Sequence, residues 1–569
     1  MEKEEYQKEL LIVTGILAAC SIIYELLLSN TLAIITNNYV WWQSLTIGIY
    51  IGGLGLGSYI GDKKMDNYVS LFKAELALSF LGIASVAFVY LAHGSYRVVD
   101  YMNYISSDYY SSLYVQNNFY LKSMFFLVVE GFIFLVGYFS GHEIPLLIKV
   151  FSKRNENDGI TNLILGISYF GTLLGTLLFV FFLYPKLDVL YTSLLIGSLN
   201  LAVCFYFLFK KWVQWTKKVV ALLILNLVLL GCLLNQAEYI QQTYLKTIYL
   251  FHRLIDTSTM DIAQFYNEAD EQKDVERRKS LYQYIDIFHL KGEDGNPDEM
   301  VVNLDTRFQF SFNTEASYHQ SFAHLPIDLT SYMPKNVLVL GGGDGLLIRE
   351  LLKHSDISSI TQIELDQDML EMSKNEKRFK NLNQGSLSNP RVKTIIGDAF
   401  IYLRNNKKKY DAVYIDFPYP NSYNLSRLYS IEFYTYVQRA LKDEGFMILD
   451  APMFPQQKMD YQKTARRAIL TTVFTPRDKR HNSILLSTIY YSGFKKFTTF
   501  LVRKETFIVA KNNLRPFNYY FYKKEYFGKY SAIGEDEFIA IQDQEFPHEL
   551  RREDVNSIFR PRLTRRIHY

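Results

Sequence analysis

The chain has 569 residues, with 61 Lys and Arg against 58 Asp and Glu and a formal net charge of +3. So small a charge singles out no partner class, and a mean hydropathy of −0.02 hides an apolar half averaged with a polar one. Cys20, Cys204 and Cys232 are the only cysteines and all fall in apolar stretches, which excludes a disulfide framework or a zinc-binding spacing.

Seven apolar segments open the chain, at about 10–35, 43–61, 69–93, 122–148, 160–184, 188–210 and 217–235. Each approaches the roughly 20 residues that a bilayer crossing needs. No small-residue cleavage site follows the first, so a removable signal peptide is not expected. Residues 1–238 are therefore predicted to be a polytopic membrane domain, with the lipid bilayer as partner and the cell membrane as location. Small-xxx-small patterns at Gly53 to Gly57 and Gly171 to Gly175 allow close helix approach. Glu25, Glu75, Glu130, His142 and Glu143 are costly in hydrocarbon and are expected to face a bundle interior or water. They read either as a path for a transported substrate or protons or, for His142 and Glu143 just before Pro145, as a wet membrane edge. Residues 239–281 read as a linker or helical segment, in which NEADEQKDVERRKS is solvated. The part beyond about residue 250 is expected to stand on its own.

The polar half carries the chemistry. The apolar strand NVLVL runs into GGGDG at Gly341 to Gly345; later strands end in IELD at Ile363 to Asp366, GDA at Gly397 to Ala399 and YIDFPYP at Tyr414 to Pro420. Asp344, Glu364, Asp398 and Asp416 thus stand at successive strand ends, which form the ligand crevice of a doubly wound parallel sheet. Glycines let the backbone approach a ligand closely. A carboxylate in that turn repels phosphate and attracts cations or hydroxyl donors, while Glu364 stands about where an acid takes ribose hydroxyls. The ligand implied is a nucleoside carrying positive charge and no phosphate, such as a sulfonium nucleoside.

Together with SLYQYIDIF (280–288), LDTRFQFS (304–311), EASYHQSFAHLP (315–326), NPRVKTIIGDAF and LYSIEFY, these segments resemble the spermidine synthases, the polyamine aminopropyltransferases, and more closely their membrane-embedded bacterial relatives. The resemblance covers roughly residues 280–450. It implies a Rossmann-like, class I methyltransferase-type α/β domain over 331–569, with a small β domain over 282–330 that suits the strand-like run from Tyr282 to Phe312. It implies Gln283, His319, Asp344, Glu364, Asp398 and Ala399 as donor-binding positions: Glu364 on the ribose, Asp398 on the adenine amino group, Asp344 on the aminopropyl ammonium. Asp416 matches the proton acceptor, and the acceptor site would hold Asp416 and Tyr419. Decarboxylated S-adenosylmethionine would be the co-substrate, with no other cofactor and no metal. The family pattern has a second acid where this chain has Tyr419, which leaves putrescine as acceptor open; Tyr419, Tyr423 or Tyr429 could meet an ammonium through a ring face.

Further along, TARRAIL and TPRDKRHNS make a basic stretch read as an amphipathic helix and a surface loop, TTFLV and TFIVA suggest a hairpin that closes the sheet, and NSIFRPR near the end resembles the membrane-embedded relatives. No nucleic-acid module is visible, and a homo-oligomer stays open. Lys and Arg gather after spans two, four and six, which makes those loops cytoplasmic by the positive-inside rule and puts whatever follows seven spans outside. The donor is made in the cytoplasm, so either one segment is re-entrant, an eighth lies hidden near Tyr239 to Leu254, or the catalytic domain is extracytoplasmic; the donor favours the cytoplasmic side. The expected activity is aminopropyl transfer to a di- or polyamine. The alternatives are a methyltransferase using intact S-adenosylmethionine, and a membrane sensor or transporter that binds without turnover.

Overall fold

The computed structural model describes residues 2–36, 38–61, 67–106, 112–152, 159–254, 262–290, 299–420, 422–451, 457–458, 471–472, 476–502, 505–518, 538–541 and 550–563. Two compact units emerge: Met1–Lys279 with Gln283–Phe308, and Ser280–Tyr282 with Gln309–Tyr569.

In the first unit the apolar runs become long helices: α1 (Glu2–Ile35), α2 (Tyr39–Gly61), α3 (Asn67–Ser106), α4 (Ser112–Ser140), α5 (Glu143–Ser152), α6 (Ile160–Leu178), α7 (Val189–Phe209) and α8 (Lys217–Leu254). A π-helical turn, Phe179–Leu183, extends α6. By length and composition, seven helices among the described residues could cross a membrane. The small-residue patterns sit where helices touch. A Cβ on Gly53 or Gly57 would run into the backbone of Phe134 and Tyr138 in α4, and one on Gly171 or Gly175 into that of Gly15 and Ala19 in α1.

Three expectations change here. The segment from Tyr239 to Leu254 is no eighth span but the continuation of α8, which runs 38 residues through the predicted domain break. The wet-edge reading of His142 and Glu143 fails, because both side chains are buried at the break between α4 and α5. Part of the predicted linker is strand: β1 (Glu276–Lys279) pairs antiparallel with β2 (Tyr284–Leu290), which pairs with β3 (Glu299–Leu304), and β4 (Arg307–Ser311) completes the sheet. Among the described residues there, Ile262–Glu271 forms a further helix, α9, after the end of α8 at Leu254.

That sheet belongs to the helical unit because its buried face shares the helices' apolar core: Val275, Phe288, Leu290 and Val301 cluster with Tyr244, Leu245, Ile248 and Tyr249 of α8. At its centre lies Asp286, fully buried, receiving the Arg277 Nε and Nη2 donors at 2.8 Å each and the Tyr249 hydroxyl. A buried carboxylate needs such partners.

The second unit is an eight-stranded sheet. Its strands, in chain order, are β5 (Asn336–Gly341), β6 (Ser359–Glu364), β7 (Val392–Ile396), β8 (Tyr410–Asp416), β9 (Leu441–Asp450), β10 (Lys496–Val502), β11 (Glu505–Lys511) and β12 (Phe538–Ile541), and their order across the sheet is β12-β10-β11-β9-β8-β5-β6-β7. From β9 to β7 all pairs are parallel, and β10, β11 and β12 are antiparallel. The predicted hairpin is β10 with β11. Near-continuous apolar strands such as β5 and β8 fit a sheet covered on both faces. Helices α10 (Glu315–Thr330), α11 (Leu346–Leu351), α12 (Gln367–Asn375), α13 (Lys377–Leu382), α14 (Ala399–Asn405), α15 (Ile431–Ala440) and α16 (Pro476–Tyr491) accompany it. TPRDKRHNS, read as a surface loop, lies largely in α16; TARRAIL lies outside the described residues.

Candidate active site

Strand order reverses between β5 and its neighbours β6 and β8, and the side chains singled out in the sequence gather at the carboxyl ends of these strands. The GGGDG turn is built for close approach. Gly341 and Gly342 have φ of +87° and +66°, a region L residues avoid, and a Cβ on Gly341 would collide with the Asp416 carbonyl. A Cβ on Gly343 would come within 2.9 Å of Glu364 Oε2. The turn therefore brings the acids of β6 and β8 against a bare backbone.

His319 on α10, Asp344 after β5 and Asp416 at the end of β8 form one cluster, each offering an atom within 4.8 Å of the others. Asp344 is partly engaged, since its Oδ1 accepts the Leu346 amide at 2.8 Å. Asp416 Oδ1 accepts the Tyr318 hydroxyl at 3.1 Å. Burial and the neighbouring charge of Asp344 push the Asp416 carboxyl up to about 6, against the opposing effects of His319 and the Tyr318 hydroxyl. His319 is buried, with Nδ1 2.8 Å from Glu315 Oε2. Burial alone would lower its pKa, but the Glu315 hydrogen bond and the charges of Asp344, Glu315 and Asp416 raise it instead. A cluster of two carboxylates and one imidazole suits a cation, whether an ammonium or a metal ion.

Glu364 ends β6 with Oε1 accepting the Asp366 amide at 2.8 Å. Burial first, then the charges of Asp366 and Asp344, push its carboxyl up to about 7 against two backbone hydrogen bonds. Such a group meets hydroxyl donors well. Asp398 caps α14, its Oδ1 accepting the Phe400 and Ile401 amides at 2.8 and 3.1 Å, and its Oδ2 pairs with Arg427. Ala399 is the first, buried residue of that helix. Gln283 belongs to the first unit, just ahead of β2.

The three tyrosines differ in role. Tyr429 is buried, and its hydroxyl donates to the Phe417 and Pro418 carbonyls at 3.2 and 3.1 Å, so it fixes the loop after β8 rather than facing a ligand. Tyr423 is exposed. Tyr419 stacks on His481 of α16, ring centroids 5.9 Å apart and 11° from parallel.

Two partners escaped the sequence reading. Tyr318 lies beside His319 within the segment already singled out. Asp450 ends β9 in MILD, a fifth strand-end acid; the register Ile415↔Leu449 sets it next to Asp416 on the adjoining strand. Burial and the charges of Glu505 and Asp416 hold its carboxyl well above the usual range, against a Tyr318 hydrogen bond. The strand-end rule that found the other four would have found it.

Residues 315–508 match the model of the spermine/spermidine synthase domain. A polyamine aminopropyltransferase of Leptospira interrogans is 29% identical over 453 residues, covering 79% of this chain and 80% of that protein. Another, from Mycobacterium tuberculosis, is 30% identical over 455 residues, covering 78% and 77%. The chain belongs to the polyamine aminopropyltransferase family. This aminopropyltransferase also aligns with the crystal structure of a spermidine synthase from Thermotoga maritima at 24% identity and a TM-score of 0.33, over 42% of this chain and 74% of that one. The family model and the two curated relatives meet the expectation of an aminopropyltransferase, drawn from eight sequence segments.

Proposed function

We propose that the enzyme transfers the aminopropyl group of decarboxylated S-adenosylmethionine to a polyamine, with Asp416 as proton acceptor. The acceptor's nitrogen lone pair attacks the aminopropyl carbon bonded to sulfur, the C–S bond breaks with its electron pair going to sulfur, and methylthioadenosine leaves as a neutral thioether. The proton lost by the amine goes to Asp416. An ammonium has no lone pair, so a nearby base is required; the sulfonium already leaves well, and positioning supplies much of the rest. Glu364 takes the ribose, Asp398 and Ala399 the adenine, His319 and Asp344 the aminopropyl arm. The observation that carries the reading is the His319, Asp344 and Asp416 cluster at the switch point of the sheet, within a chain of this family.

Tyr419, stacked on His481, leaves the family's second acid unfilled, and Asp450 beside Asp416 takes its place for the acceptor's ammonium. Steady-state kinetics with a panel of di- and triamines tests this. Asp450→Asn should raise KM for the amine at least tenfold, about the value of one charged hydrogen bond, with KM for the donor little changed. Equal KM values for the amine would return the acceptor site to Tyr419.

The helical unit is proposed to span the bilayer, on the strength of seven helices of sufficient length and apolar composition. The cytoplasmic origin of the donor supports a catalytic unit on that side, against the lysines and arginines that follow alternate helices. Reporter fusions after Phe209 and Tyr569 would decide the side.

A further inference from the structure

His319 is not held by the reacting groups alone. Glu315 lies one turn earlier on α10, the i and i+4 positions sharing a helix face. Its Oε2 is 2.8 Å from Nδ1 of His319, and Arg349 of α11 grips it in a fork, Nη1 to Oε1 at 2.8 Å and Nη2 to Oε2 at 3.0 Å. Arg349 is itself fixed: Nε donates to Glu350 Oε1 at 2.9 Å and Nη1 to the Leu382 carbonyl at 2.9 Å. His319, Glu315 and Arg349 are all buried.

The geometry dictates the imidazole's proton. A carboxylate can only accept, so a ring with a lone pair on Nδ1 would set acceptor against acceptor at 2.8 Å. Nδ1 therefore carries hydrogen, and Nε2 is left for the cluster. There the groups that face the ring are the carboxylates of Asp344 from the turn after β5 and Asp416 from β8, with the rings of Tyr318 and Phe310 beside it. With two carboxylates within 4.8 Å, a second N–H that puts a positive charge on the ring is favoured over a lone pair. The charge on this imidazolium in turn favours the ionised form of Asp416, which otherwise faces Asp344, the Tyr318 hydroxyl, Asp450 and, beyond Asp450, Glu505.

We propose that Glu315, clamped by Arg349, is a positioning residue for aminopropyl transfer: it fixes His319 as the doubly protonated ring that keeps Asp416 available as a base. This rests on the role given to Asp416 above. It acts through His319 and touches neither substrate.

Full-length wild type and Glu315→Gln should be compared by methylthioadenosine release across pH. Gln keeps a carbonyl for Nδ1–H but no charge, so His319 loses its proton earlier and Asp416 is harder to ionise. The acid limb of the kcat profile should move up by about one unit, a roughly tenfold loss of rate well below it, with KM for the donor changed less than twofold. A merely structural role would lower rate at all pH values and leave the limb in place. Should Glu315→Gln fail to fold, nitrogen-15 spectra of histidine-labelled wild type, assigned with His319→Gln, give a second readout: His319 should stay an imidazolium above the usual value of about 6.5. A folded Glu315→Gln with an unmoved limb, or a His319 that titrates at or below that value, overturns the proposal. A wild type that releases no methylthioadenosine at any pH would instead sink the transfer reading on which it rests.

Discussion

At the scale of single residues, one carboxylate is asked to do most of the chemistry. Asp416 has its pKa raised to about 6 by burial and by Asp344. A raised carboxyl binds its proton more tightly in the folded chain than in the unfolded one, so as pH climbs from the ordinary carboxylate value of about 4 through about 6 the folded state loses stability while Asp416 gains its base form. The rate of transfer should accordingly rise through an acid limb near pH 6, and Asp416→Asn should cut kcat by about 10²–10⁴-fold while leaving donor affinity nearly unchanged. Turnover by Asp416→Asn at the wild-type rate would show that another group takes the proton. The strand-end acids were legible because each directly follows an apolar run, and a period-two or fully buried strand announces where it stops. Tyr419 was not. Its partner His481 comes 62 positions later in sequence, and a stack between a loop and a distant helix leaves no local trace. The Arg427 pairing with Asp398 escaped for the same reason.

Elements come next. The GGGDG turn needs glycine for two separate reasons: φ is positive at Gly341, Gly342 and Gly345, and the space above Gly341 is taken by the Asp416 carbonyl. Gly341→Ala should therefore cost more than the roughly 1–2 kcal/mol of a left-handed L residue and should also displace Asp416. Thermal unfolding and donor calorimetry together check it, and a variant with unchanged midpoint and unchanged affinity would contradict the account of the turn. The long helices were legible from composition, since a run of about 20 apolar residues has few other structures open to it. Their ends were not. Continuation of α8 through Gln236 to Leu254 is amphipathic rather than uniformly apolar, so hydropathy falls off while the helix goes on, and the burial that sustains it comes largely from α3, where the Tyr90 ring stacks on Tyr244 with centroids 4.2 Å apart. β1, read as a charged linker, is ERRK, a sequence with no strand propensity of its own; tertiary pairing with β2 and the Arg277–Asp286 pair make it a strand.

For the whole molecule, the small sheet is the point at which sequence-level division fails. Family resemblance attaches residues 282–330 to the catalytic part, but residues 283–308 pack with the helices, and Asp286 is buried against Arg277 and Tyr249. A fragment beginning near residue 250 removes Tyr244, Leu245, Ile248 and Tyr249 from that core and leaves Asp286 short of a partner. Arg277 stays with Asp286, but losing a hydrogen bond to a buried charged group commonly costs about 1.5–3 kcal/mol, and the sheet's apolar face loses its cover, so such a fragment should aggregate or unfold, contrary to the independence expected from the sequence alone. Size-exclusion chromatography of residues 250–569 and of residues 309–569 separates the cases: a monodisperse, donor-binding 250–569 fragment would show that the sheet does not depend on the helices. The central claim concerns chemistry, and product analysis reaches it most directly. Purified full-length protein is given decarboxylated or intact S-adenosylmethionine with a panel of amines. The account predicts methylthioadenosine and an amine heavier by one aminopropyl group, with the decarboxylated donor only; S-adenosylhomocysteine from the intact donor, or a bound donor that yields neither product with any amine, would contradict it.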